Sequence, residues 1–262
     1  MSDLPHTFDG YIQVEETRFK AGVSEYLMQK IGRVINFLAD KNLTVEDITS
    51  STTWVAPVGV TAVYAEMIGG GGGGGGGMGV LDNRGGGGGS SGMIWRGYVQ
   101  TTPFASYPIV IGSGGAGGSG GVNGSSGGDT TGFGITAKGG DYGKRGNLPG
   151  PGDGGAKGEV ANGYGYRQKG GDGANPFASG AAGEGNAQFS GGAGGTGNGS
   201  TLTGGGGGGA GFGNGGNGGG TSAAQNGQGP GAGGGGGAGV DSGTAGTGGN
   251  GAAGRIRLFY LA

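Results

Sequence analysis

The hydrophobic pattern changes character along the chain. In residues 23–41, Leu27, Ile31, Val34, Ile35 and Leu38 return at helical spacing and form one stripe, which predicts an amphipathic helix. Ser24 is placed to cap its start and Asn42 to stop it, and residues 44–47 read as a short capped turn. Residues 54–68 alternate apolar and polar positions for part of their length and predict a strand, as do 107–112, 133–137 and 255–261. The first three of these run directly into glycine, which suggests strands that seed and register glycine segments. Tyr11, Ile12 and Val14 fit a short extended piece upstream.

After Ile68 periodicity gives way to glycine, which makes up 84 of 262 residues. Runs at 69–77, 85–89, 204–209 and 233–237 admit neither an amphipathic helix nor an alternating strand. Collagen is excluded, because glycine does not keep every third position and there are only 8 prolines. Ordering a glycine backbone costs about 1–2 kcal/mol per residue, so a lone segment does not fold. Order must come from backbones packed on one another, which glycine alone allows at close range. This reasoning predicts a mostly irregular class: a small α/β N-terminal region plus a sandwich of stacked antiparallel polyglycine type II helices with a few short strands. The expected divisions are an N-terminal region of ordinary composition at 1–60, a strand and glycine-rich connection at 61–137, and a glycine-helix domain at 138–262.

Composition narrows the chemistry. Net charge is −2 and charged residues make up 12%, with Lys and Arg scattered, so nothing points to nucleic acid. Without cysteine there is no disulfide framework and no thiolate metal site. The start of the sequence lacks the basic and apolar regions of a secretory signal, so synthesis and folding in a cytosol are expected. A single histidine, His6, excludes a Ser-His-Asp arrangement and a histidine metal cluster. Asp129, Asp141, Asp153 and Asp172 are not arranged as a calcium loop and read as solvated charge. Neither a metal, a cofactor nor an enzymatic activity is expected.

The inserts between glycine tracts then become turns at two ends of the stack. Inserts 159–169, 186–190 and 221–228 fall at one end by alternation, and 175–179, 200–203 and 240–244 at the other. The first set carries Tyr164, Tyr166, Arg167, Gln168, Gln188, Phe189, Gln225 and Asn226, side chains typical of recognition loops. A further insert, 141–149, adds Tyr142 and Arg145. Asparagine and threonine in these inserts also suit the ordering of turns.

The order of these features resembles the distal long-tail-fibre adhesins of T-even-type bacteriophages, the Salmonella-type ones especially. The resemblance rests on the helix region 23–41, the strand 54–68 running into glycines 69–77, the stretch 107–121, the repeated tracts up to Gly254 and the closing strand 255–261. It implies a virion protein at the distal tip of the long tail fibre. Its N-terminal region would dock on the trimeric distal fibre protein through Phe8, Tyr11, Leu27, Ile31 and Val34. Its loops would read a bacterial outer-membrane protein, a porin in many cases, or lipopolysaccharide, without membrane insertion. Two other classes fit parts of the pattern: an assembly factor that caps the fibre, and an ice-binding polyglycine protein.

Overall fold

A computed structural model describes residues 43–79, 84–146, 165–174, 178–198, 202–220, 222–241 and 244–262. The helix expected at 23–41 and the extended piece at 11–14 lie outside these residues. The chain divides into two compact units, one of Met1–Thr44 with Tyr260–Ala262 and one of Val45–Phe259. Of the first, Leu43 is exposed and Tyr260 is buried. Apart from the strand ends at Leu43–Thr44 and Tyr260–Leu261, further detail concerns the second.

The described residues form eleven strands: β1 (Leu43–Ile48), β2 (Thr52–Val55), β3 (Ala62–Ile68), β4 (Ile94–Gln100), β5 (Ser106–Ile109), β6 (Thr130–Gly132), β7 (Ile135–Ala137), β8 (Gly165–Tyr166), β9 (Leu202–Thr203), β10 (Gly239–Val240) and β11 (Arg255–Leu261). One five-stranded sheet has the order β1-β11-β3-β4-β8, and the pairs β2-β5, β6-β7 and β9-β10 form small sheets of their own. Antiparallel register sets Tyr64 between Tyr98 and Phe259, and Glu66 between Arg96 and Arg257. With a period of two, Val63, Ala65, Met67, Ile256 and Leu258 then share the buried face. Strands β5 and β6 cover that face: a Cβ at Gly132 would press on Ile109, Ile256 and Met67.

Several local expectations change. The turn expected at 44–47 is part of β1. The strand expected at 54–68 is cut into β2 and β3, because Pro57 and Gly59 (φ +79°) turn the chain. In the 133–137 segment, Phe133 (φ 56°) and Gly134 (φ 75°) make the two-residue turn of the β6–β7 hairpin. A phenylalanine in that conformation is strained. Its ring is nonetheless held against Trp54 and Tyr107, at centroid distances of 5.7 and 5.2 Å.

The strands continue into glycine segments. β3 runs into 69–77, segment 85–92 leads to β4, β7 runs into 138–146, and segment 245–254 leads to β11. These segments are extended and belong to no sheet. Segment 69–77 sits at the centre of its neighbours: the Gly70, Gly71 and Gly72 N–H groups donate to the carbonyls of Gly128, Ala252 and Ser90, and Gly73, Gly74 and Gly75 repeat the order on Ser125, Gly249 and Gly87. Its own carbonyls accept from 140 and 143, from 115 and 118, and from 234 and 237. Segment 204–209 is enclosed in the same way, between 178–184, 216–219 and 86–89 on its donor side and 171–174, 192–195 and 233–236 on its acceptor side.

The expected sandwich of polyglycine type II helices is therefore replaced. Among the described residues there is no helix, polyglycine II helices are not seen, and the regular structure is a set of antiparallel sheets, so the class is mostly sheet and irregular. The physical reason is that glycine content states how near two backbones can lie, not which regular conformation they take. Direction and register come from the strands at the base, and each segment bonds outward to its neighbours.

Candidate recognition surface

The hydrogen bonds fix the height of every segment in the stack. Near the five-stranded sheet lie Gly69, Met93, Lys138, Gln168, Glu184 and Gly231. At the opposite end lie Gly77, Arg84, Gly146, Ala174, Ala178, Gly204, Gly220 and Gly246. There the Met78 N–H donates to the Arg84 carbonyl, Val240 to Met78, Gly85 to Ala174, Gly204 to Ala178 and Gly220 to Ser222. β9 pairs with β10 at this same end. The flanks of residues 80–83, 147, 175–177, 199–201, 221 and 242–243 thus all meet at the end away from the sheet.

The residues expected to recognise a receptor do not converge on one surface. Tyr164 lies outside the described residues, as do the attachment candidates Phe8, Tyr11, Leu27, Ile31 and Val34. Tyr166 pairs with Ile94 at the sheet edge and is 37% exposed. Beside it, the Arg167 guanidinium binds Asp141 Oδ2 at 3.0 Å, next to the exposed Tyr142. Gln168 is only 9% exposed and its N–H donates to the buried Ser91 Oγ, so it has little side chain to offer. Phe189 packs on the Ile68, Ile94 and Phe212 cluster, where Arg96 and Arg255 also stack on Phe212. Gln188 is exposed nearby. Gln225 and Asn226 lie partway along a segment rather than on a tip: the Gly235 N–H donates to the Gln225 carbonyl, and the Asn250 N–H to Asn226 Oδ1. Arg145 is the one that reaches the far end, donating to the Gly121 carbonyl.

The alternation of inserts is therefore corrected in part. Inserts 175–179, 200–203 and 240–244 do flank one end, and 165–169 and 186–190 the other. Insert 221–228 does not belong with the latter pair, because it starts beside Gly220 and runs the height of the stack to Gln228.

Sequence reasoning missed a set of asparagine clamps. Asn214 Oδ1 accepts the Ser190 N–H (3.0 Å) while the Gly215 N–H donates to the Ser190 carbonyl (3.1 Å). Asn217 and Gly218 hold Ala193 in the same way, as Asn226 and Gly227 hold Asn250. Asn123 Oδ1 accepts from Arg145 and Asn250 Oδ1 from Gly117. All five asparagines are exposed, on outer segments. The available signal was the recurrence of Asn-Gly, three residues apart at 214 and 217.

A separate recess of about 450 Å³ opens beside Tyr107, Pro108, Thr131, Phe133 and Ile135. Its lining carries no carboxylate or cationic group and so offers shape without acid–base chemistry. Among the described residues no three His, Cys, Asp or Glu side chains group to hold a metal.

A family model described as a glycine-rich domain matches residues 46–261. The chain belongs to the glycine-rich domain family. The match spans β1 to β11, so in this glycine-rich domain the sheet and the stack are one matched region. No curated protein matches the chain.

Proposed function

We propose that this glycine-rich domain protein is a host-recognition adhesin at the distal tip of a bacteriophage long tail fibre. The N-terminal region docks on the trimeric fibre protein, and turns between glycine segments bind an outer-membrane protein, with a porin as the leading class. The gathering of turn flanks at the end away from the sheet is the observation that supports this reading most. A scaffold held by backbone bonds lets the turns vary without disturbing it, which is what a reader of changing receptors requires. Of the named candidates, Arg145 sits at that end, while Tyr142, Tyr166 and Arg167 line a flank.

The test is binding of the purified chain, with its fibre partner supplied, to Gram-negative cells and to strains lacking single outer-membrane proteins or truncated in lipopolysaccharide. Binding lost on one porin deletion is the expected result. A folded protein that binds no strain overturns the reading and favours an assembly factor.

A further inference from the structure

The clamping residues Asn123, Asn214, Asn217, Asn226 and Asn250 are each followed by glycine. In an Asn-Gly pair the glycine nitrogen is unhindered and attacks the asparagine Cγ. The side-chain amide leaves as ammonia, the glycine nitrogen gives up its proton, and a five-membered succinimide closes. Water then opens the ring at one carbonyl or the other, leaving aspartate or isoaspartate. This chemistry needs only water and underlies the thermal lability of asparagine.

All five side chains are exposed, yet at each the attacking nitrogen and the side-chain carbonyl oxygen are both held by hydrogen bonds. The nitrogens that would attack donate to carbonyls of neighbouring segments: Gly124 to Gly143, Gly215 to Ser190, Gly218 to Ala193, Gly227 to Asn250 and Gly251 to Gly115, at 2.9–3.1 Å. Each Oδ1 accepts a backbone N–H from a neighbouring segment at 2.8–3.0 Å. Ring closure must therefore break two bonds to the neighbours together. We propose that these five Asn-Gly pairs are modification sites which the folded stack holds silent and which local opening of a segment releases. The two products differ in consequence. Aspartate keeps an acceptor oxygen at the clamp, whereas isoaspartate adds a methylene to the backbone and shifts every later hydrogen bond of its segment.

The experiment incubates the full chain in mildly alkaline buffer below its melting temperature, folded and in denaturant, and maps the sites by peptide mass and isoaspartate detection. Loss of two net hydrogen bonds sets the expectation: conversion at each site roughly tenfold or more slower in the folded chain. Equal rates in the two states overturn the proposal. Asn217→Asp, which places the normal product at the clamp, is expected to melt close to the parent, whereas Asn217→Leu melts lower. An aspartate variant as destabilised as the leucine one refutes the acceptor role on which the protection rests.

Discussion

At the scale of single residues, stability depends on what is missing from the side chains. A Cβ at Gly206 would be driven into the Gly171 carbonyl, and one at Gly74 into that of Gly235. The obstruction is backbone, which cannot swing aside as a side-chain tip can. Gly206→Val is therefore expected to cost at least about 3 kcal/mol, the upper range for overpacked sites, read as a lowered melting temperature. A melt equal to the parent's would contradict the close packing of segment 204–209. The need for glycine at such positions was legible from the runs themselves. The clamps were not, because an asparagine beside glycine signals a turn as readily as a cross-segment bond, and only the neighbour's identity separates the two.

Among the elements, the five-stranded sheet ties distant parts of the chain together through charge as well as apolar packing. Arg257 grips Asp47 with Nε and Nη2, each at 2.7 Å, joining β11 to β1. The hydrogen bond from Arg257 holds the Asp47 carboxyl below its ordinary value of 3.8, against a partial burial that pushes it up, and Arg255 assists. At Asp129, burial pushes the carboxyl up but is outweighed by hydrogen bonds from Lys138 and the Gly139 N–H, so it too is lowered. A depressed folded-state pKa stabilises the fold above the unfolded value, and the contribution is lost as pH falls through the lower, folded value. Asp47→Asn is expected to lower stability at neutral pH by about 0.5–1 kcal/mol, in keeping with a solvent-screened pair. In thermal melts recorded from neutral to acid pH, the gap from the parent closes below about pH 4; a gap independent of pH would count against the pairing. β3, β5 and β11 were readable from alternation. β4 was not: Arg96 and Tyr98 share a face with Ile94, and Gly97 takes an inward position, leaving no clean apolar row.

For the molecule as a whole, turns and scaffold draw on different parts of the sequence. Exchanging the residues between Ala174 and Ala178, or between Asn198 and Leu202, is expected to alter the range of cells bound. The melt should stay within about 0.5 kcal/mol of the parent, as for surface changes generally. Loss of cooperative unfolding in such exchanges would mean that turns and stack are not separable. Alternation of inserts located three turn flanks at one end but misplaced 221–228, because sequence does not show how far along a segment its glycines stop. The enclosure of segment 69–77 also bears on timing. Gly71, Gly74 and Gly77 donate to Ala252, Gly249 and Gly246, so a segment made early in synthesis waits for partners made near the end. Loop closure of that length precedes any reward from the bonds it permits, which makes folding slow and non-local. A ribosome that stalls before residue 246 leaves a row of unpaired amides along glycine, the kind of nascent surface on which neighbouring chains associate.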